Sequence, residues 1–173
     1  MCIRDRYDRC DPISFINYIN EYRESLNSTD NSKVKKEINV KTKERLVFLI
    51  GFPRSGTTLL DTILRSHHQI DVLEEKPLIY SVERIIQTKF KLTLSKIYYL
   101  KKEDLDYLRK HYLSEIHKYK DPDKKANVFV DKYPFQTVCL PLINLLFPEA
   151  KIIFAHRNPS VSYTHLRAHE TCL

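Results

Sequence analysis

The residues best suited to chemistry lie between Gly51 and Thr58, in the segment Gly51-Phe-Pro-Arg-Ser-Gly-Thr-Thr58. The chain has only two glycines, Gly51 and Gly56, and both fall here. Average usage would place roughly 12 in a chain of this size. Glycine concentrated at one point marks a backbone that turns tightly or approaches a ligand closely. The spacing fits G-x-x-x-x-G, the phosphate-cradling P-loop, provided a strand precedes it and a helix follows. In such a loop successive N–H groups point inward at anionic oxygens, and the helix N-terminus adds its positive end. Ser55, Thr57 and Thr58 offer hydroxyl donors, and Arg54 offers a planar charged fork. Thr57 stands where a triphosphatase would carry the lysine that reaches the β- and γ-phosphates. That replacement argues against phosphoryl transfer from a nucleoside triphosphate. A P-loop kinase and a non-catalytic nucleotide-binding fragment remain as alternatives.

The flanking pattern supplies the elements that such a loop needs. Leu46-Val-Phe-Leu-Ile50 is a continuous apolar run suited to a strand buried on both faces, and Leu60, Ile63 and Leu64 mark a helix after the loop. Asn127–Asp131 reads as a second buried strand, and Lys151–Ala155 as a third strand. Residues 77–88 read as helical, and Leu105, Leu108, Tyr112, Ile116 and Tyr119 mark an amphipathic helix ended by Asp121-Pro122. Val138–Phe147 is mostly helical, with a proper start at Pro141. Near the N-terminus, Asp11-Pro12 is a helix start, followed by Phe15, Ile16, Ile19, Tyr22 and Leu26 at helical spacing. The polar stretch Asn27–Arg45 reads as a linker. Strands alternating with helices imply an α/β fold, a P-loop-like parallel sheet flanked by helices. Ligands of such sheets bind at the carboxyl ends of the strands, so the residues that follow each strand are the ones to examine.

The totals set bounds. A chain of 173 residues makes one domain with a real core. Its 42% hydrophobic and 29% charged residues are those of an ordinary soluble protein. No apolar run approaches the roughly 20 residues that span a bilayer, and no signal-peptide core is visible, so a cytoplasmic location is the default expectation. The net charge of +7 comes from lysines scattered through Lys33–Lys43, Lys89–Lys102 and Lys118–Lys125 and interleaved with acids. That is a solvated surface rather than a nucleic-acid face. Cys2, Cys10, Cys139 and Cys172 have neither C-x-x-C nor metal spacing, and no metal is expected. His67, His68 and His156 also lack ligand spacing and read as packing or surface residues.

The fragment Phe48-Leu-Ile-Gly-Phe-Pro-Arg-Ser-Gly-Thr-Thr-Leu59 resembles the 5′-phosphosulfate loop of the sulfotransferases that use 3′-phosphoadenosine 5′-phosphosulfate (PAPS). It is most similar to the tetratricopeptide-linked and tyrosylprotein branch. The resemblance runs on through Ser66-His-His-Gln-Ile-Asp-Val-Leu-Glu-Glu-Lys-Pro77, through Asp131-Lys132-Tyr-Pro134 and through Lys151-Ile-Ile-Phe-Ala-His-Arg-Asn-Pro159. It covers about residues 46–159. It implies that Arg54, Ser55, Gly56, Thr57 and Thr58 hold the 5′-phosphosulfate and that Arg157 holds the 3′-phosphate. It also implies that Glu75 is the general base and that Lys132, with Arg54, stabilises the leaving oxygen. The family's glycine before the base is Glu74 here, which leaves the choice between Glu74 and Glu75 open. Asp131 reads as structural. The acceptor is a hydroxyl or amine on a small molecule, carbohydrate, lipid or peptide, and no oligomeric state follows.

The ends, residues 1–6 and 161–173, resemble translated adaptor peptides found at the ends of truncated reading frames. The expected organisation is therefore a helix and polar linker over 7–45 and a partial sulfotransferase domain over 46–160, truncated at its C-terminus. The family's serine eight residues beyond the arginine is His165 here, inside that tail. A fragment of this kind is expected to have weak or no activity alone.

Overall fold

The computed structural model describes residues 11–27, 44–162 and 164. The expectations for residues 1–6, for most of the 27–45 linker and for His165 lie outside the described residues, as do Cys2, Cys10 and Cys172. Four strands form one all-parallel sheet: β1 (Arg45–Gly51), β2 (Ile70–Glu74), β3 (Val128–Lys132) and β4 (Lys151–Ala155), in the order β2-β3-β1-β4. The helices are α1 (Pro12–Asn27), α2 (Thr57–Arg65), α3 (Leu78–Thr88), α4 (Lys102–Tyr119) and α5 (Leu140–Leu146). Short 3₁₀ segments cover Leu94–Tyr99 and Pro134–Thr137. Among the described residues no helix is long and apolar enough to cross a membrane.

Alternation along the strands divides the core in two. Leu46, Phe48 and Ile50 of β1, Leu73 of β2 and Phe129 of β3 face one way, into the large cluster built with α1, α3, α4 and α5. Leu49, Val72 and Val130 face the other way, where Leu60 and Leu64 of α2 cover them. In α4, Leu105, Leu108, Tyr112 and Ile116 are buried as the spacing requires. Tyr119 is partly exposed instead, with the Lys76 ammonium 5.2 Å from its ring centroid.

Several local expectations need correction. Three strands were expected and the described residues form four; β2 escaped the apolar-run criterion because the acids of Ile70-Asp-Val-Leu-Glu74 interrupt it. Asp71 is buried there and accepts a hydrogen bond from the Asp121 N–H at 2.9 Å. In α2, Ile63 points outward, because i, i+4 spacing puts Leu60 and Leu64 on the sheet. Asp11 does cap α1, accepting from the N–H groups of Ile13 and Ser14. The inward face of α1, however, is Tyr22 and Ser25, and Phe15, Ile16, Ile19 and Leu26 stay partly or well exposed. The hydroxyls explain this choice: Tyr18 and Tyr22 both donate to the buried Glu83 carboxylate of α3. The expected helix over 138–147 is shorter, α5 alone, with Pro141 in its first turn and the 3₁₀ turn before it.

A candidate active site along the carboxyl edge of the sheet

A parallel sheet delivers all its strand ends to one edge. Here that edge carries Gly51 at the end of β1, Glu74 at the end of β2 with Glu75 following it, Lys132 at the end of β3, and Arg157 two residues beyond β4.

Gly51 is required by close approach. A Cβ there would lie 2.5 Å from the Ala155 carbonyl oxygen and 2.9 Å from Ser55 Oγ, so β4 and the loop leave no room for one. Gly56 is required by conformation. Its φ of 96° is left-handed, and it occupies the N-cap of α2, where no side chain caps the helix. The first amides of α2 therefore meet the loop without a competing side-chain oxygen. Arg54 is also left-handed, at φ 67°. The Ser55 N–H turns back to the Phe52 carbonyl at 3.1 Å, which closes the loop. Ser55 Oγ is buried and has no hydrogen-bond partner, an unusual state for a buried hydroxyl. Thr57 is buried at the start of α2, and Thr58 is exposed beside it.

Arg157 reaches this loop from the end of β4. Its Nη1 donates to the Arg54 carbonyl at 3.2 Å, across 103 residues of sequence. The Arg157 guanidinium thus lies beside the backbone of the loop that leads into the α2 N-terminus, an arrangement suited to an anionic ligand.

At the adjoining strand ends Lys132 is almost fully buried, yet its ammonium meets two carboxylates, Glu75 Oε1 at 3.1 Å and Glu74 Oε1 at 3.2 Å. A buried lysine survives only when paired in this way. Glu75 has a left-handed backbone, φ 48°, and its N–H donates to the Lys132 carbonyl at 2.8 Å. Asp131, one residue before Lys132, points into the core on the opposite face. It accepts from Tyr112 Oη at 2.8 Å and Gln136 Nε2 at 3.1 Å. Burial lifts its carboxyl to about 7, against the lowering effect of those two donors. That is a structural group, as expected.

All the residues singled out in the sequence fall on this edge, and they form two groups: Arg54 to Thr58 with Arg157, and Glu74 and Glu75 with Lys132. Sequence reading missed Asp61 and Arg65 of α2. Arg65 clasps the buried Asp61 through Nε at 3.1 Å and Nη2 at 2.9 Å, and it also reaches Glu74 Oε2 at 3.3 Å. The signal available was an opposite-charge pair at i, i+4 on the helix that follows the loop. His67 and His68 stack on each other at the surface, 4.8 Å between ring centroids, and His156 is exposed. Among the described residues no group of His, Cys, Asp and Glu could hold a metal ion.

Fold and edge together define an α/β protein whose first strand runs through a glycine-bounded loop into a helix, with cations gathered at the strand ends. The chain belongs to the sulfotransferase family: the sequence model described as the Sulfotransferase family matches residues 47–171. An uncharacterized protein of Aquifex aeolicus (strain VF5) is 30% identical over 129 residues, covering 66% of this chain. The chain spans 16% of that relative's length.

Proposed function

We propose that this domain transfers a sulfuryl group from PAPS to a hydroxyl or amine acceptor, as a member of the tetratricopeptide-linked and tyrosylprotein branch. The acceptor's nucleophilic atom forms its bond to sulfur while the bond from sulfur to the bridging phosphate oxygen breaks. The acceptor's proton passes to a carboxylate, and adenosine 3′,5′-bisphosphate leaves. In this reading Arg54, Ser55, Gly56, Thr57 and Thr58 hold the 5′-phosphosulfate, and Arg157 holds the 3′-phosphate. Glu75 takes the proton. Lys132, with Arg54, neutralises the charge that develops on the bridging oxygen. In-line positioning and fixed cations supply the rate enhancement, and the scheme calls for no metal.

The observation that carries the proposal is the contact of Arg157 Nη1 with the Arg54 carbonyl at 3.2 Å. It supports a donor with two separated anionic groups, because it sets a second guanidinium beside a loop already suited to one. Thr57 in the position of the triphosphatase lysine supports a shorter anion at the loop itself.

Calorimetry tests the reading directly. Adenosine 3′,5′-bisphosphate is expected to bind at least about tenfold more tightly than ATP–Mg²⁺, the effect of one charge-assisted fork. Arg157→Ala is expected to abolish the preference for the bisphosphate over adenosine 5′-monophosphate, while Arg54→Ala weakens both. Tighter binding of ATP–Mg²⁺ would refute the reading in favour of a kinase.

A further inference from the structure

The edge carries two adjacent carboxylates and one buried ammonium, and the geometry treats the two acids differently. Glu74 has a cation on each oxygen: Lys132 Nζ lies 3.2 Å from Oε1 and Arg65 Nη2 lies 3.3 Å from Oε2. Glu75 shares Lys132 through Oε1 at 3.1 Å, and among the described residues its Oε2 takes no protein partner. Arg65 is itself fixed in place. Its Nε and Nη2 both engage Asp61, which is buried, and this fork sets the guanidinium plane before Glu74 is met.

The backbone explains how both acids reach one ammonium. Successive side chains of a strand point to opposite faces. Register pairs Glu74 with Lys132, so these two share a face and Glu75 would belong to the other. The left-handed turn at Glu75, φ 48°, breaks the alternation and brings its carboxylate to the same Nζ. A non-glycine residue in that conformation is held there at some energetic expense, a feature that concentrates at functional sites.

We infer that Arg65 is a positioning residue that assigns the two carboxylates different tasks, holding Glu74 as a fixed counter-ion and leaving Glu75 Oε2 to receive the acceptor's proton. This rests on the sulfuryl-transfer reading. With Glu74 spanned between Arg65 and Lys132, the negative charge beside Glu75 is compensated. Without Arg65 two carboxylates would compete for one ammonium. Lys132 could then pair with either acid, and the proton-accepting oxygen would no longer be fixed.

The test uses the whole chain and carbodiimide coupling of glycine ethyl ester, with modification at Glu74 and Glu75 quantified by mass spectrometry from pH 5 to 7. Arg65 is half-exposed, so Arg65→Ala is expected to fold, which thermal melting checks. In that variant Glu74 is expected to be modified roughly three- to fivefold faster, the size of one half-exposed ion pair. Glu75 should change less than about twofold. Arg65→Lys retains the charge and should restore most of the protection, a rescue that a purely structural role would not produce. An unchanged Glu74 rate in Arg65→Ala, or an equal rise at both glutamates, overturns the assignment. Binding of adenosine 3′,5′-bisphosphate, measured on the same samples, separates the two failures. Bound bisphosphate with an unmoved labelling ratio sinks the role of Arg65 alone. No binding removes the reaction, and the catalytic role of Arg65 with it, even if the labelling shows the ion pair.

Discussion

Asp131 shows how one side chain can tie stability to pH without touching the reaction. It is enclosed by the core, with Tyr112 and Gln136 donating to Oδ2 while Oδ1 has no partner. Burial raises its carboxyl to about 7, so the folded protein retains a proton that the unfolded chain releases near pH 4. Between about pH 4 and 7 the native state therefore binds more protons than the unfolded one, and the stability from this group falls as pH rises. The whole effect is on the order of 4 kcal/mol for a shift of this size. Urea unfolding at pH 5 and pH 7.5 checks it. The wild type is expected to lose more stability across that interval than Asp131→Asn, which keeps an acceptor for Tyr112 and has no proton to lose. Equal losses in both would remove Asp131 as the cause. Lys132, the next residue, differs in kind: its charge is compensated by Glu74 and Glu75 at the carboxyl edge of the sheet.

At the scale of elements, the two loop glycines do different work, and substitution separates them. A methyl at Gly51 collides with backbone, the Ala155 carbonyl at 2.5 Å, and neither strand can yield without parting β1 from β4. A methyl at Gly56 meets nothing within 4 Å and suffers only the strain of φ 96°. Gly56→Ala is expected to lower unfolding free energy by about 1 kcal/mol. Gly51→Ala should cost about 2 kcal/mol or more, in the range for overpacking. Denaturant titration ranks them, and the reverse order would mean that the β4 contact is loose. α2 serves two elements at once: Leu60 and Leu64 bury one face of the sheet, and Asp61 with Arg65 meets the end of β2. A single turn of helix thus links the glycine-bounded loop to the cluster of Glu74, Glu75 and Lys132.

Across the whole molecule, α1 is joined to the body by a buried polar staple. The Glu83 carboxylate of α3 accepts from Tyr18 and Tyr22 of α1 and from Cys139 ahead of α5. Burial raises the Glu83 carboxyl, the Cys139 thiol and both phenols, so the phenols and thiol stay protonated and available to donate. Tyr22→Phe is expected to cost roughly 1.5–3 kcal/mol, the value of a hydrogen bond to a charged group in the interior. Tyr18→Phe should cost less, because Tyr18 is shared with Cys139 Sγ at 2.9 Å and is only partly buried. Urea unfolding of both variants tests the order. A Tyr22→Phe protein as stable as wild type would mean that α1 is held by apolar contact alone.

What the residues determined unaided was the periodic and the local. Continuous apolar runs specified β1 and β3 to within a residue or so, because a strand buried on both faces favours such a run. The same kind of run specified β4, although it is an edge strand whose Ile152 and Phe154 are exposed. The glycine spacing specified the loop, because φ 96° at Gly56 strains any side-chain-bearing residue and the close approach at Gly51 leaves no room for a Cβ. Tertiary structure decided whatever depended on a partner distant in sequence. β2 was hidden because Asp71 and Glu74 look like surface acids until Asp121 and Lys132 are brought to them. The inward face of α1 was misread because Tyr18 and Tyr22 turn in toward Glu83, 61 to 65 residues away, and leave apolar neighbours in water. The meeting of Arg157 with Arg54, and of Arg65 with Glu74, follows from strand order and helix packing. Neither is periodic along the chain, and an ion pair has no signature in sequence beyond two opposite charges.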